Sequence, residues 1–464
     1  MLIDTIHDAF VMREQELHES PITPDVTPEE IRSYLTAHYD FEKQMSLDEV
    51  IADVEKMLKI WQVQVTHPRY FGLFNPSVTF ASVIADTLVA MYNPQLASWR
   101  TSPAANEVER FTLDWIAAKF GLPKDTIGTF TSGGAEANHS AVIVALTRAF
   151  SDYGDKGLRC LGGVPTVYLS REAHHSFAKI AHMTGLGRRA LRVVATDDHL
   201  RMNLADLERK VAEDRLNGLL PFMVVGTCGT TTAGAIDPLP EIGDFCNAQE
   251  LWFHVDAAWG GAAILAPSLR QLLDGIHAAD SVTCDAHKWF SVPMGCGMFF
   301  CRHRESVFQA FRADAAYMPA KGSDATFDPY TSSIQWSRRF IGLKLFVSLA
   351  VHGESGQSEM IENQIRMGQL LRELLAETGW HIVNETPLPL VCFTKDALNI
   401  SEFLASLRKR QIAWMSEAQI NGIPVVRACV TSFKTTERDV RWVVSEMNRL
   451  VAQDAGSQLI TAGR

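Results

Sequence analysis

Apolar residues recur at three- and four-residue spacing through most of the first 65 positions. IRSYLTAHYD (31–40) and LDEVIADVEKMLKIWQ (47–62) follow this helical period, and TPEE at 27–30 supplies a helix start. One such apolar face cannot bury itself, so the segment is expected to pack on another domain or on a partner subunit. From about residue 105 to 302 the pattern changes. NEVERFTLDWIAAKFGL is an amphipathic helix closed by Gly121 and Pro123, and TSGGAEANHSAVIVALTRAF runs from a glycine pair into a second helix. Short apolar runs follow at TVYLS, LRVVA, PFMVVGT, LWFHVDA, DSVTCDA and CGMFFCR, with helical stretches between most of them. Near-continuous apolar strands separated by helices predict a mostly parallel sheet covered on both faces. Residues 303–335, with ADAAYMPAKGSDATFDPYTSS, break the rhythm and read as a long functional loop. Beyond residue 340 a long helix leads into WHIVNE, LPLVCFTK, another helix and IPVVRACVTS, the pattern of a smaller α+β unit. There is no internal repeat.

Composition narrows the class. A chain of 464 residues exceeds the ~250–300 at which single cores stop growing, so two or three packed units are expected. A formal charge of −11 and a pI near 5.8 argue against nucleic acid as a partner. No run of ~18 apolar residues is present to cross a membrane. The opening MLIDTIHDAF lacks the layout of a signal peptide. Eight cysteines without a C-x-x-C pair read as reduced thiols, which points to the cytoplasm, and no metal site is expected.

The chemistry concentrates in HVDAAWGG (254–261) and DAHKW (285–289). One buried strand ends in Asp256 and another leads to Lys288. Either alone is most simply an ion-paired residue at a strand end. Their company changes that reading: His287 beside the lysine, a glycine turn at 132–134 that opens a helix, and Tyr317 in the loop.

This constellation resembles the group II pyridoxal-phosphate-dependent amino-acid decarboxylases, the family of the aromatic-L-amino-acid, glutamate and diaminobutyrate enzymes. The likeness runs from HPRYFGLF (67–74) to SRRFIGLK (337–344). It takes in SPAANEVE, TSGGAEAN, AHHSFAK, GTTTAGAIDPL, HVDAAWGG and HKW in the family's order. The resemblance implies an α/β architecture of the PLP-dependent transferase type I, aspartate-aminotransferase-like fold. Its parts would be an N-terminal helical dimerisation segment (1–79), a large cofactor-binding domain (80–345) and a small C-terminal domain (346–464). It further implies a homodimer with the active site at the subunit interface, pyridoxal 5′-phosphate as cofactor, and conversion of an L-amino acid to its amine and CO₂.

Residue roles follow from the same resemblance. Lys288 would hold the cofactor aldehyde, and Asp256 would face the pyridine nitrogen and keep the ring protonated, making it a better electron sink. Ala258 would let the ring lie close to the backbone. Gly133, Gly134 and Ala135 would seat the phosphate at a helix start, where free N–H groups favour an anion. Ser132 adds a possible hydroxyl donor, and Glu136 reads as a structural first-turn acid. His287 would stand near the phosphate, Thr231 at the cofactor edge, and His174, rather than its neighbour His175, would stack on the ring. Tyr317 would protonate the substrate α-carbon. The walls of the substrate pocket would be Phe74, Leu73, Gln95 and Ala97, the last three replacing bulkier or more aromatic residues of the aromatic-specific enzymes. Arg100 replaces a small residue nearby, Asp285 stands where many members have asparagine, and Ala286 where they have proline. A broad or modest aromatic preference is therefore expected. Two alternatives are an aldehyde synthase, which Tyr317 argues against, and a non-catalytic regulatory homologue, which the presence of Lys288 and Asp256 argues against.

Overall fold

The structure, a computed structural model, describes residues 2–74, 77–313 and 326–462. Its centre is a seven-stranded sheet made of β1 (Ile127–Thr131), β2 (Pro165–Ser170), β3 (Leu191–Val194), β4 (Leu220–Thr227), β5 (Trp252–Asp256), β6 (Ser281–Asp285) and β7 (Gly297–Cys301). The spatial order is β1-β7-β6-β5-β4-β2-β3, and β7 runs antiparallel to both of its neighbours. The other strands share one direction. Thr131, Thr227, Asp256 and Asp285 therefore all end their strands at the same edge of the sheet. That edge is where ligands bind in open α/β folds.

Both faces of the sheet are covered, which is why its strands read as unbroken apolar runs. Successive residues point to opposite sides: Val224, Val255 and Phe300 belong to one core with Leu113 and Ile116, whereas Val225 and Phe299 belong to another with Ala141 and Val144. Six expected strands are present within a residue or two. β1 was not anticipated, because IGTFT is short and carries a glycine and two threonines.

Six helices lead up to and into this sheet: α1 (Leu2–Leu17), α2 (Pro28–His38), α3 (Leu47–Ile60), α4 (Phe80–Tyr92), α5 (Pro103–Lys119) and α6 (Gly134–Ala149). The TPEE start forms a capping box in which Thr27 and Glu30 exchange hydrogen bonds, and Ser46 and Glu49 do the same for α3. Neither α2 nor α3 buries a residue. Leu47, Ile51, Val54 and Leu58 form a stripe on α3 that is 75, 55, 37 and 57 % exposed.

The segment 303–335 differs from the expected loop, because its start forms the helix Arg304–Ala310. Tyr317 lies outside the described residues. The long helix spans Leu343–Glu377 and breaks at Gly353, where φ is +64°. The C-terminal unit is an antiparallel sheet of β8 (His381–Ile382), β9 (Leu390–Thr394), β10 (Ser416–Ile420) and β11 (Ile423–Cys429), in the order β10-β11-β9-β8. β10 escaped the sequence reading because SEAQI is a polar edge strand. The Asn421–Gly422 hairpin that follows it carries positive φ at both residues, as a tight two-residue turn requires.

Candidate active site

The strand-end edge opens into a cleft lined by Gly134, Ala135, His174, Asp256, Ala258 and Lys288, with Phe74, Thr231 and Trp259 on its walls. Asp256 forms the floor and is 4 % exposed. Its Oδ2 accepts from Asn138 Nδ2 at 2.8 Å and its Oδ1 from the Ala258 N–H at 3.1 Å. Asn138 lies one turn into α6 from Gly134. Its Oδ1 is 3.0 Å from His254 Nε2, and His254 Nδ1 is 2.8 Å from Ser281 Oγ, which also accepts from Trp252 Nε1 at 2.9 Å. His254 and Asp256 share a face of β5 because they are two residues apart. Burial lowers the His254 pKa to about 4. The carboxylate thus rests on a chain of buried polar groups that crosses two strands, β5 and β6, and the helix α6.

Lys288 Nζ is 3.0 Å from Asp285 Oδ2, and Asp285 is 2 % exposed. His287 is buried over the glycine turn: its Nδ1 accepts from the Cys296 N–H at 3.1 Å, which leaves Nε2 to carry the proton. Burial lowers its pKa. His174 Nδ1 accepts from the Ser176 N–H at 3.2 Å, so its Nε2–H is likewise the donor. Desolvation at the cleft lowers the His174 pKa as well, and both rings are neutral near pH 7.

The glycine turn is a close-approach device. A Cβ on Gly134 would stand 2.9 Å from Asp285 Oδ2 and 3.2 Å from the Ala258 Cβ, and one on Gly133 would stand 3.3 Å from His287 Cε1. Glu136 takes the structural part expected of it. It accepts from the Ser132 N–H at 2.9 Å and from Ser132 Oγ at 2.7 Å, and Gln335 Nε2 donates to both of its oxygens. The Ser132 hydroxyl is therefore committed to Glu136.

Phe74 reaches the cleft because HPRYFGLF is tied to the C-terminal sheet. The Phe71 N–H donates to Trp414 O and Phe71 O accepts from the Cys429 N–H, each at 2.9 Å. At Gly72 a Cβ would meet the Trp414 ring at 2.2 Å. Phe74 stacks on Trp259 at 4.3 Å, and Trp259 stacks on Trp289 at 5.3 Å. Behind Phe74 stands Arg427, 3 % exposed and 4.9 Å from the ring, which donates to Thr231 O at 2.7 Å and Gly72 O at 2.8 Å. Its Nη2 has no hydrogen-bond partner among the described residues.

Lys288, Asp256, His174, Gly134, Ala135, Thr231, Ala258 and Phe74 thus come together, with Gly133 and His287 directly beneath. Leu73, half exposed, and Gln95 and Ala97 are not among the residues lining the cleft of the single chain. Asn138, His254, Ser281, Trp259, Trp289 and Arg427 were not singled out from the sequence. Asn138 and Trp259 stand inside quoted motifs, and the two-residue spacing of His254 from Asp256 was a readable signal. Nothing local marks Arg427, which lies about 170 residues from Asp256 in the chain.

Residues 28–396 match the pyridoxal-dependent decarboxylase conserved domain, which is well over half of the chain. The chain belongs to this decarboxylase family. Among its relatives, aromatic-L-amino-acid decarboxylase of Bacillus atrophaeus is 26 % identical, covering 96 % of this chain and 94 % of that protein. Phenylacetaldehyde synthase of Arabidopsis thaliana is 28 % identical over 95 and 92 %. Acidic amino acid decarboxylase GADL1 of Bos taurus is 32 % identical over 72 and 64 %. The crystal structure of mouse CSAD in apo form superposes with a TM-score of 0.88 at 25 % identity, covering 97 and 98 % of the two chains. The protein is accordingly a PLP-dependent carboxy-lyase of fold type I that acts on amino acids.

The decarboxylase cleft fits its cofactor. Gly134 offers a seat that any side chain would fill, the first two N–H groups of α6 have no acceptor within the helix, and Thr227 Oγ1 lines the cleft without a partner among the described residues. Among the described residues there is no cluster that could hold a metal ion and no helix long and apolar enough to cross a membrane.

Proposed function

We propose that this chain removes the α-carboxyl group of an L-amino acid, releasing CO₂ and the corresponding amine, with a broad or modestly aromatic preference. The observation that carries the reading is the convergence of Lys288 Nζ, the braced Asp256 carboxylate and the α6 start on one cleft. When bound, pyridoxal phosphate supplies an electron sink for the pair left on the α-carbon by departing CO₂. Lys288 Nζ would hold the cofactor through its aldehyde carbon. Asp256, which accepts from Asn138 and the Ala258 N–H, would face the ring nitrogen and hold a proton there. Gly133, Gly134 and Ala135 bind the phosphate through backbone N–H groups, with His287 Nε2–H beside them. His174 covers the ring and directs Nε2–H toward the substrate. Thr231 borders the cofactor, Ala258 leaves room for it, and Tyr317 delivers the proton to the α-carbon. Arg427 places a buried cation behind Phe74, suited to a substrate carboxylate.

The reading includes a homodimer. The exposed apolar stripe on α3 lies in the 1–79 segment, and burying each such side chain contributes about 1.5–3 kcal/mol. Leu73, Gln95 and Ala97 wall a pocket only if a second copy completes the cleft. Residues 80–345 and 346–464 form the large and small domains. All eight cysteines are unpaired thiols and seven are buried, in keeping with the reducing cytoplasm. A panel of L-amino acids scored for CO₂, amine and aldehyde tests the function. Amine with equimolar CO₂ is expected, and aldehyde with ammonia as the main products would instead place the chain with the aldehyde synthases.

A further inference from the structure

Asp285 ends β6 inside the cofactor cleft. It is almost fully buried, its Oδ1 has no hydrogen-bond partner among the described residues, and its Oδ2 faces Lys288 Nζ at 3.0 Å and His287 Nε2 at 3.8 Å. Oδ2 presses on the glycine turn and Oδ1 on the start of β7. A Cβ on Gly134 would come within 2.9 Å of Oδ2, and one on Gly297 within 2.8 Å of Oδ1. The titratable groups around it are Lys288 and His287 from its own loop, Asp256 from β5, His174 from the loop before the helix Ser176–Met183, and the thiols of Cys284 and Cys296. Both imidazoles are neutral, so Lys288 is the one cation of this set.

That arrangement suits the free protein, in which ammonium and carboxylate pair. It conflicts with a loaded site, and here the inference rests on the phosphate seat proposed above. A phosphate on Gly134 and Ala135 stands beside Asp285, while Lys288 Nζ is drawn to the aldehyde carbon and ceases to be a free ammonium. Two anions side by side in a buried pocket do not both stay ionised. The α6 N-terminus favours the charge on the phosphate, and burial disfavours it on the carboxylate.

We propose that Asp285 is the base that activates Lys288 for cofactor capture and that it keeps the proton afterwards as a neutral acid donating its O–H to the phosphate. One proton moves from Lys288 Nζ to Asp285 Oδ2, which turns an ion pair into a neutral amine and a carboxylic acid. The amine nitrogen then bonds to the aldehyde carbon, and its two remaining hydrogens leave with the aldehyde oxygen as water. Charge is conserved and no other reactant is needed.

The test uses the full-length holoenzyme and infrared spectroscopy at pH about 8.5, above the range in which the buried Asp237, raised to about 7, holds its proton. A protonated-carboxyl C=O band is expected in the holoenzyme, absent from Asp285→Asn and from the protein stripped of pyridoxal phosphate. Wild type should also release the cofactor faster as pH rises, by up to about tenfold per pH unit, whereas Asp285→Asn, a neutral donor of the same shape, should not respond. Loss of the band on stripping wild type serves alone if the variant does not load. A holoenzyme without the band, or a band that persists in Asp285→Asn, overturns the proposal. Failure of the underlying site assignment looks different: Lys288→Ala would keep the visible absorbance of lysine-bound cofactor.

Discussion

The floor of the cleft and its mouth are built by different means. At the floor, the Asp256 carboxylate takes two donors and is backed through Asn138, His254 and Ser281 to Trp252, all buried and all on sheet strands or α6. At the mouth, Leu73 is half exposed, Gln95 is exposed, Ala97 lies off the lining, and Phe74 is steered from the C-terminal sheet through Arg427 and Trp414. Rigid elements with satisfied hydrogen bonds hold the reacting groups in place, whereas segments far apart in the chain, and a second copy in the proposed dimer, set what enters. The chemistry is therefore expected to be sensitive to single atoms at the floor, and selectivity to be tolerant of change at the mouth.

The largest effect should come from the floor itself. Asp256→Asn keeps the shape but removes the charge, and turnover should fall on the order of 10³-fold with cofactor still bound. Steady-state kinetics with a cofactor absorbance check reads this, and near-normal turnover would strip Asp256 of its role. Next comes acid sensitivity. His254 is neutral in the fold, with a pKa taken by burial from 6.5 to about 4. The unfolded chain binds that proton below pH 6.5 and the fold does not until about pH 4. Stability is thus complete above 6.5 and is lost as pH falls through 4, by about 3 kcal/mol. Chemical denaturation between pH 7 and 4 measures the decline, which His254→Gln should reduce.

Asn138→Ala removes the donor to Asp256 and leaves His254 Nε2 without its partner. Turnover should drop by about 10–100-fold, the worth of a hydrogen bond to a charged group. At the mouth, Leu73→Tyr with Ala97→Phe should raise the ratio of aromatic to aliphatic turnover by about tenfold or less, since an aromatic pair contributes about 0.5–1.5 kcal/mol beyond area. A larger loss at the mouth than at the floor would invert the contrast.

The same contrast governs what could be read from the sequence. Strands buried on both faces announce themselves as apolar runs, and the residues that end them, Asp256 and Asp285, stood next to those runs. Lys288, His174 and the Gly133–Gly134 turn sat in local motifs. Short or polar strands such as β1 and β10 carry no such signature. The stack of Phe74 on Trp259 and the approach of Arg427 to Thr231 depend on how the C-terminal sheet docks, and no local period encodes that. The Asn138–His254–Ser281 chain joins three segments whose meeting follows only from the strand order.

The central claim is that Lys288 and Asp256 hold one cofactor between them. Reconstitution of wild type and Lys288→Ala with pyridoxal phosphate, followed by borohydride reduction and peptide mass spectrometry, tests it most directly. The cofactor mass should appear on the peptide carrying Lys288 in wild type and on no peptide in Lys288→Ala. Stoichiometric labelling of any other lysine in wild type would contradict it.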